Sequence, residues 1–165
     1  MFELAVTGYQ ISLWLHITAV VVGLGATFAE SIAFPVAMGM DARYLPYLHR
    51  LQRRINQWLA SPALLIILIT GMYQVADADL SFGDAWISAA FAIVIVLGGM
   101  NGAYFIPADR RLEAQVTKEI AAAGDGEIQL SEDYQRAARL EGIMGAVAGL
   151  LVIVAIYLMV VKPGA

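Results

Sequence analysis

Hydrophobic positions along this chain gather into four unbroken stretches, Ile11 to Phe34, Trp58 to Ala76, Ala85 to Ile106 and Gly142 to Val161, with most of the charge between them. Each is long enough to cross a hydrocarbon core, which takes about 20 helical residues. The apolar runs are continuous and do not alternate with polar positions, and an open sheet in lipid would leave backbone groups unpaired. The pattern therefore predicts an all-α fold: a transmembrane four-helix bundle, up-down, in a single membrane domain over residues 1–165. Its helices are expected at approximately 10–39, 47–76, 85–122 and 131–161. Nothing basic precedes the first stretch, Glu3 is acidic, and the run exceeds a signal-peptide core, so it reads as an uncleaved first helix.

The third connection looks helical at both ends. Leu112, Val116 and Ile120 continue helix 3 past Pro107 until Gly124-Asp125-Gly126 breaks it, and Ser131 followed by Glu132 and Asp133 is an N-cap signature for helix 4. Helices 3 and 4 are expected to extend beyond the bilayer as a cytoplasmic hairpin.

Charge then sets orientation. Arg43, Arg50, Arg53 and Arg54 follow helix 1, and Arg110, Arg111, Lys118, Arg136 and Arg139 follow helix 3, which leaves Lys162 as the only base elsewhere. Cytoplasmic loops carry the excess of bases, so both termini are expected outside the cytoplasm, on the side of Asp77, Asp79 and Asp84. Trp14, Trp58 and Trp86 near helix ends read as interfacial aromatics. Composition agrees with lipid burial: 60% of residues are hydrophobic, 15% are charged and mean hydropathy is +0.71. The absence of cysteine removes disulfides and thiolate metal sites, and a net charge of -4 gives no footing for nucleic-acid binding. The expected partners are the lipid bilayer and either a membrane protein or further copies of the chain.

Packing faces in lipid show as small or polar residues at three and four spacing. They predict seams along Asn56, Ala60, Ala63, Ile67, Thr70 and Gln74; along Ser88, Phe91, Ile95, Gly98, Gly102 and Phe105; and along Gly142, Gly145, Gly149, Val152, Ile156 and Met159. On helix 1, His16, Gly23 and Glu30 recur at steps of seven beside Thr27. Ionisable groups inside a span are costly and usually face a bundle interior, a cavity or a cofactor. His16 lies about 8 Å below the outer boundary at 1.5 Å per residue, level with Thr70, Gln74, Ser88 and Met159, with Met72 near in depth. It reads either as a core histidine bonded to Gln74 or Thr70, or as an axial ligand to haem iron whose second ligand would be Met72, Met159 or nothing. Glu30 is expected to pair with Arg53, Arg54 or Arg110, or to relay protons. His49, among arginines, reads as a surface residue. No phosphate loop, H-E-x-x-H, nucleophile elbow or paired carboxylates within reach of a base can be picked out.

The run Leu15-His16-Ile17-Thr18-Ala19-Val20-Val21-Val22-Gly23-Leu24-Gly25, with the basic entry Arg50 to Asn56 and Thr70-Gly71 of helix 2, resembles a superfamily of small bacterial membrane proteins. That superfamily includes the membrane domain of copper-resistance protein D and the HemJ-type protoporphyrinogen oxidases, and the chain looks closest to its uncharacterised four-helix branch. The resemblance implies a bacterial inner membrane and carries the role of haem b ligand to His16. Those enzymes pair that histidine with a lysine on helix 3, where the most polar buried candidate in this chain is Asn101, so their oxidation does not carry over. Three functions compete: a haem-b redox membrane protein passing electrons to a quinone or periplasmic partner, a non-catalytic accessory or assembly subunit of a membrane complex, and metal or small-solute permeation. Nothing in the sequence forces an enzyme.

Overall fold

The computed structural model describes residues 7–164, so Glu3 and Ala165 lie outside the described residues. Four helices, α1 Gly8–Met38, α2 Ala42–Asp77, α3 Ala85–Ala123 and α4 Glu132–Val161, are each long and apolar enough to cross a membrane, and the described residues contain no strand. α1 packs on α2 and α4, and α3 on α2 and α4, which makes an up-down four-helix ring. One end holds both helix termini and the acidic α2–α3 turn. The other holds nine of the ten bases and is called the basic end below.

Local chemistry sets the helix ends. Thr7 accepts from the Gln10 amide while the Gln10 side chain accepts from the Thr7 amide, and Ser131 accepts from the Tyr134 amide to open α4. α3 stops at Gly124, whose φ of +57° suits glycine best. Three helices contain one widened π-turn: Val20–Leu24 in α1, Asn56–Ala60 in α2 and Met100–Phe105 in α3. In the last two, a proline, Pro62 or Pro107, follows two residues later. A proline has no amide to donate, and its ring crowds the carbonyl four residues back, so the turn before it opens. The Asn56 carbonyl in the widened turn of α2 then accepts from Ser61 Oγ at 2.9 Å and from Asn101 Nδ2 at 3.1 Å, which ties α3 to α2.

Three apolar clusters stack along the axis. Val75, Trp86 and Ile87 fill the acidic end; Ala19, Leu24, Ala63, Leu64, Ile67, Leu97, Ala148 and Val152 fill the middle; Leu45, Leu48, Leu112, Val116, Tyr134 and Ala138 fill the basic end. Outward-facing Val21, Ile32, Leu65, Ile95, Leu150 and Val160 are exposed, as residues touching lipid tails would be.

The seams expected on helices 1 and 2 are the buried faces of α1 and α2, whereas those on helices 3 and 4 need correcting. α3 buries Ile87, Ala90, Leu97, Asn101 and Ala108, one position away from the expected line, and leaves Ser88, Ile95, Gly98 and Gly102 exposed. α4 buries Tyr134, Ala138, Glu141, Ala148, Val152 and Ala155, with Gly145 and Gly149 at the edge and Ile156 exposed. Alanines give enough room for these contacts, so the glycines were free to turn outward. A Cβ on Gly98, Gly102 or Gly145 would meet nothing within 4 Å. Among the glycines the tightest surroundings are at Gly23, where an added Cβ would collide with the Cβ of Ala63. Trp14 and Trp58 face outward, but Trp86 is buried, with the Lys162 ammonium 5.5 Å from its ring centre.

Candidate functional site

At the acidic half of the bundle, His16 is buried, and its Nδ1 lies 2.8 Å from Thr70 Oγ1. Thr70 Oγ1 donates to the Ile66 carbonyl, so the hydroxyl accepts from His16 Nδ1–H and the free nitrogen is Nε2. The ring edge is packed beside Gly71, where a Cβ would stand 3.7 Å from His16 Cε1. Gln74 donates to Ser12 Oγ instead of to the imidazole. Met72 is 43% exposed on the outer face of α2, and Met159 packs on the Val75, Trp86 and Ile87 cluster. Ser88 leaves this polar layer altogether, bonding to its own helix at the Asp84 carbonyl.

The ion pair expected for Glu30 is not formed among the described residues. Arg53 and Arg50 both go to Glu113, at 3.0 and 2.8 Å. Glu30 turns inward, with Oε1 buried and without a hydrogen-bond partner, onto a cavity of about 330 Å³. This cavity extends from Leu24, Leu64, Leu97 and Val152 at mid-bundle to Gln52, Asn56, Asn101, Asp109 and Glu141 toward the basic end. Its wall reaches the surface in the groove between α1 and α4, at the exposed residues Ser31, Pro35, Gly142 and Ala146. Among the described residues no lysine, arginine or histidine lines it. All three widened turns contribute to its wall, through Leu24, through Asn56 and Ala60, and through Asn101 and Phe105.

Behind the Asp109 and Glu141 wall sits His49, a fully buried residue where the sequence reading expected a surface one. Its Nδ1 is 3.5 Å from Asp109 Oδ1 and 3.8 Å from Glu141 Oε2, and its Nε2 is 2.8 Å from the hydroxyl of buried Tyr134. Asp109 and Glu141 are 1% and 5% exposed. Four atoms of this group, His49 Nδ1, both Asp109 oxygens and Glu141 Oε2, lack a hydrogen-bond partner. A paired-carboxylate site beside a base therefore exists, contributed by three helices. The three residues fall outside the apolar spans, and burial acts on all of them: it pushes both carboxyls up, with Asp109 adding to the rise at Glu141, and pushes the imidazole down.

A signal for these residues was present in register. Asp109 stands three and seven residues before Leu112 and Val116, and Glu141 stands seven and three residues after Tyr134 and Ala138, each on the apolar face of its helix. His49 lies four after Leu45 and one after Leu48, on the inward face of α2.

Comparison with known proteins places this geometry in a family context. A family model described as "Predicted integral membrane protein (DUF2269)" matches residues 10–163. No curated protein and no solved structure matches the chain.

Proposed function

Since the chain belongs to the DUF2269 family of predicted integral membrane proteins, we propose that it is a cation-handling membrane protein whose inner half takes up a cation in exchange for protons. The observation that carries this reading is the cavity: three carboxylates, Glu30, Asp109 and Glu141, face it and no base does. With the His49 imidazole neutral, holding two or three ionised carboxylates in such a place costs several kcal/mol per ion. The acids must therefore either hold protons or hold a cation, and exchange between those states is the chemistry the site supports. Neutral Thr27, Gln52, Asn56 and Asn101 on the same wall offer oxygens to a partly dehydrated ion, and the Asn101 and Gln52 carbonyl oxygens have no other partner. Beyond Leu24, Leu64, Leu97 and Val152 the apolar middle cluster closes the way to the acidic end. The basic end, with nine of ten bases, faces the cytoplasm of a bacterial inner membrane in this reading, so the carboxylate end of the cavity lies on that side.

Reconstitution tests it. Vesicles containing the protein and a lumenal pH dye should show proton movement when Zn²⁺ or Mn²⁺ is added outside, and Glu30→Gln or Asp109→Asn should slow it. Rates equal to protein-free vesicles for every cation tried would remove the exchange reading.

A second reading, haem b at His16, is favoured by one observation. The Thr70 bond fixes the Nδ1–H tautomer and leaves Nε2 free, which is how ligating histidines are usually oriented. Its test is an absorption spectrum of protein purified from haem-replete cells. A Soret band lost in His16→Ala supports it, and a colourless wild type removes it.

A further inference from the structure

We propose that His49 Nδ1, Asp109 and Glu141 form a binding site for one divalent first-row transition-metal ion, with Tyr134 holding the imidazole in the ligating tautomer. This rests on the exchange reading only for what the ion does, not for the site itself.

The geometry already approaches a coordination shell. One ligand atom from each residue lies within 4.8 Å of the other two, and the two distances from Nδ1 are 3.5 and 3.8 Å. Ligands about 2.0–2.2 Å from a tetrahedral ion stand roughly 3.4 Å apart, so contraction by a few tenths of an ångström around an ion closes the two histidine pairs. The orientation is right as well. Tyr134 at 2.8 Å occupies Nε2, so when Nε2–H donates to the phenolic oxygen, Nδ1 carries its lone pair toward the two carboxylates. His49 cannot swing away, because its ring is fully buried between Phe34 and Tyr134.

Charge balance points to a divalent ion. A neutral imidazole and two carboxylates sum to minus two. Arg53, the cation nearest enough to bear on Asp109, is already bonded to Glu113, and no other base is paired with the trio. Three ligand atoms, His49 Nδ1 and one oxygen from each carboxyl, converge here, and His49 Nδ1, both Asp109 oxygens and Glu141 Oε2 have no hydrogen-bond partner, a state that buried polar groups rarely show. Ligand chemistry narrows the ion further. Mg²⁺ and Ca²⁺ take oxygen shells, whereas a fixed imidazole among carboxylates suits Mn²⁺, Fe²⁺, Co²⁺ or Zn²⁺. The remaining coordination positions face the cavity, where water or the Asn56 and Gln52 side chains are at hand.

The test uses full-length protein in detergent, stripped with chelator and titrated with Zn²⁺ and with Co²⁺, the latter read by its visible d–d absorption. The expected result is one equivalent bound per chain, unaffected by millimolar Mg²⁺. His49→Ala should abolish it, and the shape-conserving Asp109→Asn and Glu141→Gln should each weaken it at least tenfold. Tyr134→Phe, which keeps the packing and loses the hydroxyl, should weaken binding by about 10–100-fold, the usual effect of removing a group that orients a ligand. No stoichiometric binding by the wild type, or binding indifferent to His49, Asp109 and Glu141 in variants that keep their thermal transition, overturns the site. Metal bound in detergent with no flux in vesicles would keep this site and sink the exchange reading. Proton flux driven by another cation with no bound transition metal would do the reverse.

Discussion

Replacing Gly23 by alanine adds one methyl group at a tight contact between α1 and α2. The new Cβ would fall well inside contact distance of the Ala63 Cβ, with the Ala63 Cα at 3.5 Å and the Leu59 carbonyl oxygen at 3.6 Å. Carbon pairs settle about 3.5–4.0 Å apart, so the two helices would have to part by roughly 1.5–2 Å, pulling Ala19, Leu24, Ala63 and Ile67 out of register. Overpacking of this kind costs about 1–3 kcal/mol. It exceeds the gain of up to about 1 kcal/mol from replacing a helical glycine with alanine. At about 2–4 °C per kcal/mol for a chain of this size, Gly23→Ala should lower the thermal midpoint in detergent by several degrees. The second half of the experiment is decisive. Ala63→Gly removes the obstructing methyl and leaves the Ala63 Cα and Leu59 oxygen at ordinary contact distances from the new Cβ. The double variant Gly23→Ala/Ala63→Gly exchanges one helical glycine for another and should return close to wild-type stability. A Gly23→Ala midpoint equal to wild type, or a double variant no better than the single, would refute the packing argument.

Exposed glycines should behave oppositely. Gly98→Leu and Gly102→Leu meet open space on the lipid side and should change stability by no more than about 0.5 kcal/mol; a large loss would place them at a contact between copies. Stability of the metal-free protein should fall as pH rises above 6.5. Asp109 and Glu141, raised by burial, keep protons that the unfolded chain has released above its ordinary carboxylate range of about 4, and the stability this gives is lost as pH climbs through their raised values. His49, lowered by burial, acts in the other direction only below its ordinary 6.5. Glu113 and Arg53 sit beside the trio and Glu30 faces the same cavity, so the check is differential: Asp109→Asn/Glu141→Gln should flatten the slope, and an unchanged slope would refute the assignment. Finally, reporters fused at Gly124 should read cytoplasmic and those at Asp79 external, as the bases require; a cytoplasmic Asp79 would invert the scheme.

The sequence alone determined that this chain is helical and made for lipid, because four continuous apolar runs have few other stable outcomes in water or membrane. It also determined the α1 and α2 faces, since polar residues at His16, Asn56 and Thr70 mark them against an apolar background. It could not fix the faces of α3 and α4. There the rule that small residues mark contacts chose glycine over alanine, and only the positions of the neighbouring helices reveal which small residues face inward. The site was hidden for a related reason. His49, Asp109 and Glu141 lie 60 and 32 residues apart along the chain, each looks like one more charge at the edge of a basic loop, and none has a partner on its own helix. Only the ring of helices brings them within 4.8 Å of one another. Depth alone brings Glu30 level with snorkelling arginines, but depth does not specify azimuth. Tertiary packing turned Arg53 toward Glu113 and Glu30 toward the cavity, converting an expected surface ion pair into part of an acidic pocket.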